Sequence, residues 1–161
     1  METKDKYTIV VTASNILKVY ESFREWSYLD SGGVWTYGYG FTKTPNGLKV
    51  TKGNYISKAD SDKFIITIVT NELLEITRLI RRDLQPHQYI ALISLAYNIG
   101  LTAFRRSTLL QYINQNREPE TIRSQWVRWV YDNGQIVKGL QNRRKQEVAI
   151  YFTTEIGHLD L

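Results

Sequence analysis

Between residues 27 and 55 the chain abandons helical spacing. Short aromatic and β-branched pieces are broken there by Ser31-Gly32-Gly33 and Thr44-Pro45-Asn46-Gly47, which are turn compositions. On either side the apolar residues recur at intervals of three and four. Ala13, Ile16, Leu17, Tyr20 and Phe23 form one stripe, which predicts a helix from about Thr12. Ile65, Ile68, Val69, Leu73, Ile76, Leu79 and Ile80 form a second. A chain that leaves the helical period once, early, and then keeps it folds as α+β, with a small antiparallel sheet first and helices after.

Ser57 followed by Asp60 reads as a helix start, and the spacing continues to about Arg82. At about 1.5 Å per residue a helix over 57–82 exceeds about 30 Å, enough to join two lobes. Pro86 suits the first turn of the next helix; residues 90–99 are apolar almost all round, as in a buried helix, and Gly100 ends it. Further helices are expected at about 106–114, 119–131 and 139–152, with polar or glycine-containing connections. The expected division is one domain over 1–161: helix and sheet lobe at 12–56, connecting helix at 57–82, helical lobe at 83–161.

Composition narrows the chemistry. There is no cysteine, and the only histidines are His87 and His158, so neither a disulfide framework nor a Cys/His zinc cluster can form. Zinc amidases and cysteine peptidases lack their ligands or nucleophile, and no metal or cofactor is expected. Neither a Gly-x-Ser-x-Gly elbow nor a phosphate-binding Gly-Lys-Ser/Thr loop occurs. The longest nearly apolar run, 89–97, falls far short of the roughly 20 residues that span a bilayer, so no membrane insertion is expected. Residues 1–6 carry no secretory signal pattern, which points to synthesis in a cytoplasm. The net charge of +5 is concentrated after residue 77 in Arg81-Arg82, Arg105-Arg106 and Arg143-Arg144. Such a surface attracts polyanions, whether nucleic acid or the bacterial wall, and reads equally as a solvated basic face.

The informative segment runs from Glu21 to Thr42. Taken singly, Glu21 could pair with Arg24 on a helix surface, and Asp30 could be a turn residue before Ser-Gly-Gly. Gly38 and Gly40 fall on one face of an expected strand, where they mark a packing contact, a bulge or a close ligand approach. Taken together, an acid closes a helix, a second acid enters a hairpin, and Thr36 returns on the next strand, converging on one side of a cleft. That is a glycosidase layout, which needs a protonated carboxyl at the leaving oxygen and a second polar group across the sugar. The half-apolar place of Glu21 favours protonation, and the loop around Asp30 favours ionisation.

These residues resemble the phage lysozyme (endolysin) family, whose pattern is a Glu, an Asp nine residues on, a Thr six further, then Gly-x-Gly: here Glu21, Asp30, Thr36 and Gly38-Tyr39-Gly40. The resemblance continues through 88–100, 104–110 and 139–147. It implies a sheet lobe and a larger helical lobe joined by a long helix, with the glycan strand of bacterial peptidoglycan in the cleft between them. It further implies that Glu21 is the general acid and that Asp30 and Thr36 hold the attacking water, an inverting muramidase arrangement. Thr42, Tyr97 and Ser107 match sugar-facing positions, although Tyr97 also reads as a core aromatic and Ser107 as a helix cap. Arg143 matches an arginine that reaches back to the catalytic glutamate; its other reading, with Arg144 and Lys145, is an exposed basic face. Burial favours the protonated acid and a nearby cation the ionised one; the sequence leaves that balance open. Ser22 stands where the family often has Gly, and Phe41 where it usually has His. Trp126 and Trp129, three apart, read as core or cleft-wall aromatics on one helical face. The expected protein is a monomer without a nucleic-acid partner, held in the host cytoplasm until release to the wall. The alternative is a non-catalytic wall-binding or virion module that kept the fold.

Overall fold

The structure, a computed structural model, describes residues 1–153. His158 and the end of the expected helical lobe lie outside that range. The chain opens with α1 (Thr3–Glu21), nine residues before the start expected near Thr12. The run Thr8-Ile9-Val10-Val11-Thr12 is β-branched and by propensity a poor helix. Ile9, however, falls in register with Ala13, Ile16 and Leu17, and all four are buried. Packing of that stripe overrides propensity.

The antiparallel pair β1 (Arg24–Leu29) and β2 (Trp35–Gly38) follows, with a bulge between Arg24 and Tyr28. Bridges at Trp26–Tyr55, Tyr37–Phe41 and Lys43–Lys49 extend it over the expected region. The first strand begins at Arg24 rather than Ser27, because Ser22 turns the chain directly out of α1. Ser22 has φ 56° and ψ 161°, a region that glycine enters freely and serine does not, which gives a physical reason for glycine at this place. Ser22→Gly should therefore raise stability by about 1 kcal/mol, the relief of strain less the entropy of a freer chain. Urea denaturation would show a higher midpoint; an unchanged or lower one would mean that the serine sits there without strain.

The connecting helix is α2 (Lys58–Leu79), capped by the Ser57 hydroxyl accepting from the Asp60 N–H at 3.0 Å. It stops three residues before Arg82, where Ile80 turns extended and Arg81 donates its backbone N–H to the Asn114 side chain. The helical part comprises α3 (Pro86–Ile99), α4 (Leu101–Arg105), α5 (Thr108–Asn114), α6 (Pro119–Trp126) and α7 (Lys138–Tyr151). Pro86 and Gly100 bound α3 as expected, and α3 packs between α1 and α7 at the centre of the core.

Two expectations need correction here. The helix foreseen at 106–114 starts two residues later, at Thr108, because Ser107 caps it, and an unforeseen short helix, α4, precedes it. The helix foreseen at 119–131 ends at Trp126, and a hairpin of β3 (Tyr131–Asp132) and β4 (Gln135–Ile136) follows. Its turn is Asn133-Gly134, both with positive φ, the composition that tight hairpins favour. Trp126 and Trp129 therefore do not share a helical face. Trp126 is fully buried, and Trp129 lies beyond the helix end.

Candidate active site

Glu21 is the last residue of α1, and its side chain is 20% exposed. Its Oε1 lies 2.7 Å from Nη1 of Arg143 on α7. Its Oε2 lies over Gly40, so close that a Cβ added there would sit 3.0 Å away, and Gly40 adopts φ +80°. Gly38, at φ +59°, faces away from Glu21: a Cβ there would meet the Phe41 ring at 2.5 Å. The two glycines thus do not share a strand face. One ends β2 and the other lies in the tight turn closed by the Tyr37–Phe41 bridge, each needing its missing side chain for a different neighbour.

Asp30 heads the β1–β2 turn. Its Oδ1 accepts the backbone N–H groups of Gly32 at 2.9 Å and Val34 at 2.7 Å, which fixes the carboxylate and leaves Oδ2 without a protein partner among the described residues. Thr36 pairs with Tyr28 across the hairpin and is 3% exposed. Its hydroxyl donates to the Val34 carbonyl at 3.0 Å. With its own hydrogen engaged, the oxygen can only accept from a further partner.

Glu21, Asp30, Thr36, Gly40, Thr42 and Tyr97 all line one cleft of about 900 Å³. The facing wall includes Asn98, Arg128, Trp129, Tyr131 and Asp132. Tyr97, on α3, donates its hydroxyl to the Tyr39 carbonyl at 2.6 Å and so ties the helical part to the turn beside Glu21. Burial, with Glu21 and Glu72 nearby, pushes its phenol well up, so it remains a neutral donor. Ser107 accepts from the Leu110 N–H, donates to the Phe104 carbonyl and lines a neighbouring depression that shares Arg128 and Trp129 with the cleft. Phe41, in place of the family's usual histidine, packs edge-on against Phe64 of α2 at 4.9 Å, so an aromatic contact joins sheet and helix there.

Behind Glu21 lies a charge cluster. Arg143 and Arg144 are 6% and 0% exposed, which removes the reading of an exposed basic face for both. Glu147, also fully buried, takes Arg143 Nε at 3.2 Å, Arg144 Nη2 at 3.1 Å, the Ser94 hydroxyl at 2.7 Å and the Trp126 indole N–H at 3.0 Å. Arg143 donates further to the Ser94 carbonyl, and Arg144 to the Asn98 side chain and the Trp129 carbonyl. One carboxylate thus supports the acid through Arg143 and the opposite cleft wall through Arg144. Trp129 was read from the sequence as a core or cleft-wall aromatic and lines the cleft, whereas Glu147, Asn98, Arg128, Tyr131 and Asp132 were not singled out. The Asn133-Gly134 dipeptide was the available signal for the last two of these.

Glu72, on α2, is a second unforeseen carboxyl. Burial pushes it up to about 8, only partly offset by the Arg143 guanidinium, and its Oε2 has no hydrogen-bond partner. An unfolded glutamate titrates near about 4.3. Between those values the folded protein holds a proton that the unfolded chain has released, so this group makes stability fall as pH rises from about 5 to about 8. Glu72→Gln should flatten that fall. Urea midpoints of variant and wild type should run close together at about pH 5 and diverge in favour of the variant by about pH 8; parallel curves would rule this out.

Among the described residues no helix is long and apolar enough to cross a membrane. The sequence profile of the phage lysozyme family matches residues 18–147. The endolysin of Bacillus phage B103 is 31% identical over 143 residues, 88% of this chain; the chain spans about half, 52%, of that relative's length. The endolysin of Acyrthosiphon pisum secondary endosymbiont phage 1 is 30% identical over 140 residues, covering 84% of this chain and 92% of the relative. Among solved structures, the endolysin from Escherichia coli O157:H7 phage FAHEc1 superposes with a TM-score of 0.74 at 27% identity, over 87% of this chain and 90% of that one. Matched by the family's sequence profile over 18–147 and similar in fold to a solved phage endolysin, this chain belongs to the phage lysozyme family.

Proposed function

We propose that this chain is an endolysin that hydrolyses the β-1,4 bond between N-acetylmuramic acid and N-acetylglucosamine in bacterial peptidoglycan. The observation that carries the reading is the convergence of Glu21, Asp30 and Thr36 on one cleft, each fixed by protein contacts. Glu21, aligned by Arg143 and unobstructed at Gly40, gives its proton to the leaving glycosidic oxygen. Asp30 Oδ2 and the Thr36 oxygen, both acceptors, take the two hydrogens of one water and turn its lone pair toward the anomeric carbon. Asp30 receives the proton that this water releases, and its charge offsets the positive charge developing on the sugar. Thr42 and Tyr97 contact the strand. The enzyme works as a monomer, without cofactor, after release from the host cytoplasm to the wall.

Thr36 has a task in this scheme only if water, and not Asp30, attacks. The reaction then inverts the anomeric carbon, which calls for carboxyls about 6.5–9.5 Å apart rather than the roughly 5–5.5 Å of direct attack. Digestion of purified peptidoglycan should release reducing N-acetylmuramic acid ends by mass spectrometry. Proton NMR in the first minutes should show the α anomer. Anhydro ends would replace hydrolysis by transglycosylation, and an initial β anomer would replace the water mechanism by a covalent one.

A further inference from the structure

Away from the catalytic residues, the sheet carries a second concentration of aromatic surface. Trp26 of β1 and Tyr55 are joined by an antiparallel bridge, and their rings lie 4.9 Å apart, tilted by 56°. Cross-strand pairing explains why they touch. It does not explain why the indole is 57% and the phenol 53% exposed, since a single exposed aromatic is ordinary but a fixed adjacent pair is an interaction surface in waiting.

Tyr55, of this pair, borders a series of hollows. Tyr55 walls a depression of about 410 Å³ that is also lined by Pro45, Phe64, Asp60 and Lys63. That depression shares Pro45, Phe64 and Thr67 with a second one of about 470 Å³. The second shares Gly40, Thr42 and Tyr97 with the catalytic cleft. Three neighbouring hollows with shared walls thus lie between Glu21 and Tyr55.

The lining suits one chemical class. A β-linked pyranose presents axial C–H groups on its faces and equatorial hydroxyl or acetamido groups around its rim. A flat aromatic ring covers the face; a carboxylate and an ammonium at the edge bond the rim. The Asp60 carboxylate is held by the Ser57 hydroxyl at 2.8 Å, and Lys63 is exposed one turn along α2. We propose that this hollow, walled by Tyr55 and continued outside it by the Trp26 ring packed against Tyr55, is a second, non-catalytic site for an N-acetylated pyranose of the wall glycan. It rests on the reading that the wall glycan is the substrate. Its role is retention: a polymer offers many rings, and one held here keeps the enzyme on the wall while the cleft releases product.

The test uses the full chain and insoluble purified peptidoglycan. In a Glu21→Gln background, which leaves the wall undigested, Trp26→Leu with Tyr55→Leu keeps apolar bulk between the strands but removes both flat faces. Co-sedimentation should show wall binding weakened about tenfold. Lys63→Ser, on an exposed helix face where folding is not at stake, should weaken it about threefold. With Glu21 intact, the double variant should turn over a short soluble wall tetrasaccharide within about twofold of wild type and insoluble wall about tenfold more slowly. Undiminished wall binding by both variants, or equal losses on soluble and insoluble substrate, would overturn the second site. If wild type binds the wall through this pair but cuts no glycosidic bond, the proposed hydrolysis fails and the second site stands.

Discussion

Glu21→Gln should leave a folded protein whose turnover is lower by about 10²–10⁴-fold. The amide has the shape of the carboxyl and can still accept from Arg143 Nη1, which now lies 2.7 Å from Oε1. Arg143 also keeps its bonds to Glu147 and to the Ser94 carbonyl, so the buried guanidinium is not stranded. What the amide lacks is a proton to give the leaving oxygen. Hydrolysis of soluble glycan, read together with a thermal melt, separates chemistry from folding. Wild-type turnover by the folded variant would remove Glu21 from the mechanism.

The largest expected loss of stability comes from a residue that touches no substrate. Glu147→Ala would leave Arg143 and Arg144 buried with Glu21 as their remaining carboxylate, where the native cluster has two acids for two guanidiniums. Breaking a buried pair by removing one partner typically costs about 3–5 kcal/mol, chiefly because the surviving charge stays in a poor solvent. Against a usual total of about 5–15 kcal/mol, that removes from about a fifth to all of the stability. The Ser94 hydroxyl and the Trp126 indole N–H lose their acceptor in the same step. Denaturant titration gives the number, and a loss under about 1 kcal/mol would mean that water enters to replace the carboxylate.

Where local chemistry decides an element, the sequence was readable. Ser57 marks a helix start by its capping hydroxyl, Pro86 by its missing N–H, and Gly100 a helix end by its positive φ, each at the place the sequence indicates. The convergence of Glu21, Asp30 and Thr36 was likewise visible, because a helix end and a tight hairpin lie only a few residues apart. Elements decided by distant packing were not. The start of α1 depends on Ile9 reaching the core, against the β-branched preference of its neighbours. Helical spacing in 119–131 continued past the point where the Asn133-Gly134 turn takes over. Glu147 looks like any acid on a charged helix, and its burial follows only when α3, α6 and α7 meet around it.

The β3–β4 hairpin has one further contact. Asn133, in its turn, donates its side-chain amide to the Ser31 carbonyl at 3.1 Å, bridging from the 131–132 wall to the turn that holds Asp30. Ser31, Tyr131 and Asp132 all line the cleft, so this bond ties two of its lining segments together. The glycan strand proposed as substrate would have to enter sideways, with this bond parted. An exposed hydrogen bond contributes about 1 kcal/mol, which favours the shut form by only about five to one. At that ratio the bridge opens by thermal motion alone, and a strand that has entered finds it shut most of the time. A gate of that kind slows entry and exit by the same factor, so the bridge would set how fast a bound strand exchanges while leaving unchanged how tightly it is held.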